Sequence, residues 1–549
     1  MNMKRIQMEI KGMTCTSCED HVRQTLQKNS AENIQIDYQE DKAEFQLPDR
    51  SKEENIREEL QKTPYRPGEM IRIPSGDEKV LPDEAFDYDF LIIGSGGAAF
   101  SAAIQASENG LRVAMVERGK VGGTCVNIGC VPSKTLLQAG HIQFQTKKQP
   151  FQGLVTSAKQ PDMAGLQNQK EHLVQQLRKE KYEDLIQEYG FDLIKGEANF
   201  RNPHTISVAG KELTAESFLI ATGASPFIPD IPGLKETSFL TSTSALELKK
   251  VPNHLVIIGS GYIALELGQM YRHLGAEVTL MQRSSSLLKQ YDPEISETVE
   301  DVLKEEGITL LKNVCYQKVE EKNGQKFVHI KVEGTSKIIQ GDQLLVAAGR
   351  QPNTEKLQGE NIGLELGEFD EVLTNDYLET NLSHIHAAGD VTLSPQFVYL
   401  AAHQGGIVGQ NVSKQTKKPQ NLEHVAAVTF TTPSIASLGR TEHQAKQAGY
   451  DVKTSVLPLE SVPRALVNHQ TQGVFKLIMD AKNNQIIGAH VVAENAGDVI
   501  YAATLAVKFK LTADDLQETM APYLTMAEGL KLASLMFDKD VSKLSCCAG

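Results

Sequence analysis

At 549 residues, with 40% hydrophobic residues, 42 Gly and 21 Pro, the chain is too long for one domain and has an ordinary globular composition. A formal charge of −14 argues against a nucleic-acid partner, which demands clustered Lys and Arg. No run of about 18 apolar residues occurs, so no stable membrane insertion is expected. The first residues, Met1 to Glu9, place a Glu where a signal peptide carries its apolar run, so a cytoplasmic protein is expected.

Six of the seven cysteines fall into close pairs, Cys15/Cys18, Cys125/Cys130 and Cys546/Cys547. Close pairs in a long chain read as metal-binding or redox-active thiols, not as a secreted disulfide scaffold. Cys315 stands alone and is expected to be a small core residue on a strand.

Residues 1–70 read as one unit. An alternating strand (Ile6, Met8, Ile10) leads to Gly12-Met13-Thr14-Cys15-Thr16-Ser17-Cys18 and a helix over Glu19–Lys28. Strands near Ile34–Tyr38 and Ala43–Leu47 and a helix over Ser51–Lys62 follow, predicting a small ferredoxin-like βαββαβ module. From Pro64 to Phe86 the chain is rich in Pro, Gly and charge and reads as a linker, assigned to 71–86.

At Phe90–Ile93 an apolar strand runs into Gly94-Ser95-Gly96-Gly97-Ala98, an Ala-rich helix follows, and a second strand, Val113–Val116, ends at Glu117. The pattern recurs in Leu255–Ile258, Gly259-Ser260-Gly261-Tyr262, a helix, and Val278–Met281 ending at Gln282. In each copy the residue after the second strand lies 23 positions beyond the first glycine, the spacing of a repeated dinucleotide-binding βαβ unit. Glycine lets the backbone approach a pyrophosphate, and the helix N-terminus offers N–H groups to its charge. Glu117 can accept hydrogen bonds from a ribose, so the first site is expected to take FAD. Gln282 followed by Arg283 removes a carboxylate and supplies a guanidinium for a 2′-phosphate, so the second is expected to take NADPH. From about Asn421, strands Val474–Met479 and Ile486–Val492 and helices near Ala496–Lys508 and Met526–Phe537 predict an α+β domain.

After Glu117 comes Gly122-Gly123-Thr124-Cys125-Val126-Asn127-Ile128-Gly129-Cys130-Val131-Pro132-Ser133-Lys134. In a regular helix, residues five apart point about 140° away from each other. The glycines and Pro132 allow a departure that brings the sulfurs together, where a low-pKa thiolate can exchange two electrons with a flavin. This stretch, with Ala221-Thr222-Gly223, Ala348-Gly349-Arg350-Gln351-Pro352-Asn353 and Ala388-Gly389-Asp390, resembles the pyridine nucleotide–disulfide oxidoreductases over about residues 87–540.

That resemblance implies an α/β fold of two Rossmann-like domains plus an α+β dimerisation domain: FAD on 87–230 and 351–420, NADPH on 231–350, dimerisation on 421–549. It implies Cys130 in charge-transfer contact with FAD, Cys125 facing substrate, Lys134 near the flavin, Asp390 on the FAD chain and Tyr262 over the nicotinamide pocket. It also implies a homodimer whose active sites are shared between subunits. Gly94, Gly96, Gly97, Ala98, Glu117, Gly123, Thr124, Thr222 and Gly223 are the further expected FAD residues, with Gly259, Gly261 and Arg283 expected for NADPH and Gly349 as a further cofactor-binding residue.

A disulfide reductase needs an acid for its leaving thiolate, supplied in the family by His-Pro-Thr-x-x-Glu. Here the segment is Tyr523-Leu524-Thr525-Met526-Ala527-Glu528, and a phenol of pKa about 10 shuttles protons poorly near neutrality. The adjacent Cys546 and Cys547 suit linear binding of a soft cation. Together these resemble the mercury-reducing branch of the family. They imply thiol-bound Hg(II) passed from Cys546 and Cys547 of one subunit to Cys125 and Cys130 of the other, flanked by Tyr262 and Tyr523, and reduced to Hg(0). The N-terminal loop resembles that of heavy-metal-associated domains, with Cys15 and Cys18 as metal ligands. The alternatives are a disulfide or dihydrolipoamide reductase fused to a metal-binding module, and a metal carrier whose flavoprotein body only scaffolds thiols.

Overall fold

The structure is a computed structural model that describes residues 4–13, 16–38, 41–47, 51–73, 86–413 and 417–543. The chain divides into two compact units, Met1–Ala85 and Phe86–Gly549.

In the first unit, strands Lys4–Lys11, Glu32–Asp37, Lys42–Leu47 and Arg66–Ile73 and helices Thr16–Lys28 and Ser51–Gln61 form the expected βαββαβ order. The antiparallel sheet places Lys4–Lys11 between Lys42–Leu47 and Arg66–Ile73. Period-two alternation sends Ile6, Met8 and Ile10 into the core with Phe45, Val22, Leu26 and Ile56. Met13 is buried in the same core. The fourth strand corrects the linker reading from Pro64 onward. Among the described residues Arg66–Ile73 pairs only with Lys4–Lys11, and an edge strand tolerates Pro67 and Gly68, which a central strand would not.

The second unit has three layered parts. Its first sheet runs Asp192–Lys195, Val113–Glu117, Tyr88–Ile93, Lys211–Ile220, Ile385–Ala387, all parallel. Strands covered on both faces read as unbroken apolar runs, and Phe90–Ile93 is buried throughout. The second parallel sheet runs Thr309–Leu311, Glu277–Met281, His254–Ile258, Gln343–Val346. An antiparallel meander, Cys315–Lys322, Gln325–Val332 and Thr335–Gly341, accompanies it.

Cys315 opens an outer strand of that meander and is exposed, which corrects its reading as a core residue. Only Val319 of that strand is buried, because an edge strand gives its polar face to water.

The third part is a five-stranded antiparallel sheet: Ala427–Thr429, Ser434–Gly439, Gln485–Ala493, Val474–Asp480, Val452–Pro458. Helices Ala496–Lys508 and Glu528–Leu535 pack on it. Tyr501, Phe509 and Met520 of this part are largely exposed. Among the described residues no helix is long and apolar enough to cross a membrane.

Candidate active site

Both glycine loops lie where an apolar strand of a parallel sheet meets a helix, at the N-termini of Gly97–Glu108 and Tyr262–Leu274. In the first, the Ser95 hydroxyl donates to the Glu117 carboxylate, which also accepts the Gly119 N–H. One cavity of about 240 Å³ opens there. Its lining gathers Gly94, Gly96, Gly97, Ala98, Glu117, Gly123, Thr124, Cys125, Cys130, Lys134, Thr222, Gly223, Tyr262 and Asp390, residues scattered over nearly 300 positions of sequence. A narrower pocket sharing Gly94, Glu117 and Thr222 continues past Arg118, Glu197 and Asn353.

Two buried donors on the cavity wall, Arg350 Nε and Gln396 Nε2, have no hydrogen-bond partner. Unsatisfied buried donors call for an acceptor-rich ligand. With the glycine loop and the ribose-competent Glu117, the lining fits an elongated dinucleotide such as FAD. Gly349 does not line the cavity; its carbonyl accepts from the Phe227 N–H, and Arg350 beside it reaches the wall instead.

The two cysteines meet through a helix break. Helix Gly123–Ile128 ends at Gly129 and a new helix begins at Cys130. A Cβ on Gly129 would stand 2.9 Å from the Thr124 carbonyl oxygen, so only glycine leaves room for this turn. Both thiols are free, and Cys125 donates a hydrogen bond to the Cys130 sulfur. That bond, helped by the Lys134 ammonium, outweighs burial and brings the Cys130 thiol down to about 7. The same bond, with burial, pushes Cys125 well above the ordinary thiol range. Cys130 is therefore the thiolate and Cys125 the thiol of the pair.

Two residues of this centre escaped the sequence reading. Glu266 is buried and binds Lys134 at 2.8 Å. Its signal was present: it lies one helical turn beyond Tyr262 in an otherwise apolar stretch. Tyr182 had no such signal. It lies in a π-helical turn, Lys179–Glu183, between helices Met163–Arg178 and Asp184–Tyr189. Its ring meets the edge of Phe100 at 4.9 Å, and burial followed by the neighbouring Cys125 and Cys130 raises its pKa. Such π turns recur at functional sites, because the extra residue re-aims the side chains. An open groove along Phe100, Ser101, Gln105, Lys181 and Tyr182 adjoins the cavity at Gly97 and Val398.

Tyr262, by contrast, stands at the mouth of the second glycine helix, with burial raising its pKa and Arg350, Asp390, Glu266 and Cys130 as its charged neighbours. Gly259, Gly261 and Arg283 do not line the main cavity and belong to the second loop. There the Ser260 hydroxyl donates to Gln282 Oε1 as Ser95 does to Glu117, while Gln282 Nε2 donates to the Ser284 carbonyl at 3.1 Å. The carboxylate is thus replaced without losing the serine contact, and Arg283 is left exposed.

Tyr523 is about half exposed in the loop between helices Ala513–Glu518 and Glu528–Leu535, and it does not line the cavity. Cys15, Cys546 and Cys547 lie outside the described residues. Cys18 is half-buried in the first turn of its helix. Among the described residues no group of three or more His, Cys, Asp or Glu could hold a metal ion.

Comparison with known proteins agrees with this geometry. The model of the pyridine nucleotide-disulphide oxidoreductases matches residues 88–405, its dimerisation-domain model residues 425–534, and the heavy-metal-associated domain model residues 7–66. The chain is 58% identical to a mercuric reductase of Staphylococcus aureus over 549 residues, covering 100% of both chains. It is 56% identical to a mercuric reductase of Lysinibacillus sphaericus, again over 100% of each. Among solved structures, the HOCl-induced flavoprotein disulfide reductase of Escherichia coli superimposes with a TM-score of 0.74 at 31% identity, covering 81% of this chain and 99% of that one.

Proposed function

The chain belongs to the pyridine nucleotide-disulphide oxidoreductase family, and on that premise we propose that it reduces thiol-bound Hg(II) to Hg(0) with NADPH. One observation carries the reading. The Cys125/Cys130 pair sits in the wall of a dinucleotide cavity with Cys130 favoured as the thiolate, in a chain that carries Tyr523 where the family's disulfide reductases carry the histidine acid. A soft cation held by sulfur accepts electrons without a proton donor, whereas a disulfide leaves as a thiolate that needs one.

FAD, when bound, relays two electrons from NADPH to the metal, giving Hg(II) + NADPH → Hg(0) + NADP⁺ + H⁺. The glycine loop at Gly94–Ala98 and Glu117 hold its adenosine and pyrophosphate end, and Asp390, Thr222 and Gly223 hold the rest. Residues 87–230 and 351–420 form that domain, 231–350 bind NADPH through Gly259, Gly261 and Arg283, and 421–549 dimerise. Cys125 faces the substrate and Cys130 the flavin. Lys134 holds positive charge beside them both. Tyr182 closes the Cys125 side and Tyr262 the nicotinamide side, while the groove along Ser101 and Gln105 admits the thiol complex.

The chain carries a dimerisation domain. A second copy is proposed to cover Tyr501, Phe509 and Met520 and to bring its own Tyr523, Cys546 and Cys547 to this site. The Cys15/Cys18 module captures Hg(II) and feeds the core. A cytoplasmic location is part of the same proposal, because cysteine pairs used as thiols and NADPH both suit a reducing compartment.

The test is headspace mercury measured against NADPH consumption, with oxidised glutathione and lipoamide as rival substrates. One Hg(0) per NADPH is expected, with slow turnover of either disulfide; disulfide turnover without vapour would overturn the reading. Cys546→Ala with Cys547→Ala is expected to slow bulky Hg–thiol complexes about tenfold more than Hg halides, a difference of roughly 1.4 kcal/mol in the barrier. Equal loss for both would remove the tail relay.

A further inference from the structure

The segment Phe430–Thr432, which follows strand Ala427–Thr429 of the dimerisation sheet, is gripped at alternate residues by one face of helix Tyr262–Leu274. The Gln269 carboxamide takes both polar groups of Thr432, accepting from its N–H at 2.7 Å and donating to its carbonyl at 2.7 Å. One turn earlier, Glu266 Oε1 accepts the Phe430 N–H at 2.9 Å, leaving Oε2 for Lys134 Nζ at 2.8 Å. The Phe430 ring then lies over that ammonium, 4.7 Å from its centroid. Phe430 therefore holds both members of the Lys134–Glu266 pair, one through its backbone and the other through its ring face. An aromatic face attracts a cation and shields it from water on that side. Lys134 is left with two directional partners, and its remaining side lines the cavity.

We propose that Phe430 is a positioning residue for the redox step: it holds the Lys134 cation on the cavity wall, so that a residue of the dimerisation domain sets how readily the bound flavin accepts electrons. The idea rests on FAD occupying this cavity beside Lys134, and it is independent of which substrate the thiols hold. A fixed cation stabilises the extra electron density of reduced flavin, whereas a mobile hydrated one does so less. Without the ring the flavin becomes harder to reduce.

The measurement is the two-electron midpoint potential of the FAD-loaded full-length protein, by dye equilibration and flavin absorbance, with no mercury present. Phe430→Leu is expected to lower the reduced-to-oxidised ratio at a fixed potential three- to tenfold, a tenfold change being about 30 mV for a two-electron couple. Phe430→Tyr keeps the ring and is expected to match the parent within about twofold. In a Lys134→Met background the Phe430→Leu shift is expected to vanish, because residues acting as a unit are non-additive. An unshifted Phe430→Leu protein overturns the proposal, as does a shift of equal size with and without Lys134, or a Phe430→Tyr shift as large as that of Leu. Should Phe430→Leu lose FAD, Phe430→Met is read by the same criteria. Failure of the mercury assay would leave these potentials unaffected, so the two readings fail separately.

Discussion

Gly94 and Gly259 are the same residue built twice. Each has a left-handed φ, +114° and +116°, and in each an added Cβ would overlap the backbone carbonyl of a residue just beyond a neighbouring parallel strand, Ala221 in the first copy and Ala347 in the second. Both the dihedral and the close approach require glycine.

From this identity follows a pair of opposite defects. Gly94→Ala is expected to yield protein without yellow flavin. Gly259→Ala is expected to retain FAD while its reduction by NADPH needs far more coenzyme. Strain of about 1–3 kcal/mol at such a position corresponds to roughly 5- to 150-fold in affinity. Flavin absorbance and NADPH titration separate the two. Equal loss of flavin from both variants would contradict the assignment of one nucleotide to each loop.

Tyr182 and Tyr262 are expected to divide the reaction between them. Cys125 and Cys130 both help to raise the Tyr182 pKa from across the groove wall, whereas Tyr262 has Cys130, Arg350 and Asp390 as its charged neighbours. Tyr182→Phe is predicted to slow Hg(II) turnover about tenfold, roughly 1.4 kcal/mol of barrier, while flavin reduction by NADPH stays at the parent rate. Tyr262→Ala is predicted to alter NADPH-dependent flavin reduction instead. Rapid-mixing kinetics of the two half-reactions decide, and the reverse pattern would exchange the roles.

His386 makes the fold sensitive to acid. It is 3% exposed, and burial brings its pKa down to about 4, against weaker upward pulls from Glu379 and the Phe218 backbone. Lys417 and His384 reinforce the downward shift. An unfolded His takes up its proton near pH 6.5, so the unfolded state gains protons first as the pH falls. Stability is therefore lost between about pH 6.5 and 4, by up to about 3 kcal/mol from this residue, and is complete above that window. His386→Gln is expected to flatten the fall in urea midpoint between pH 7 and pH 5 relative to the parent. A variant with an unchanged slope would show that other buried histidines govern it.

The two nucleotide loops, the Cys125/Cys130 stretch and the βαββαβ module could be read from residues alone, because each depends on local geometry. Strand, glycine and helix N-terminus are neighbours in sequence, and their periodicity follows from which faces must be buried. The same local rule misled where context overrode it. Pro67 and Gly68 look like a linker until an edge position makes them tolerable in a strand, and Cys315 looks like core until its strand proves to be an outer one.

The assembly of the site was decided by tertiary structure. No pattern in the chain announces that a π turn sets Tyr182 in the groove beside the cavity, or that Glu266 and Phe430 share the grip on Lys134. The glycines around the two thiols did announce a departure from regular helix, but only the structure sets the break at Gly129 and shows the Cys125 bond and Lys134 lowering the Cys130 thiol. Those contacts join residues far apart in sequence, and they exist only because packing the apolar faces of three layers leaves their polar groups no other partners.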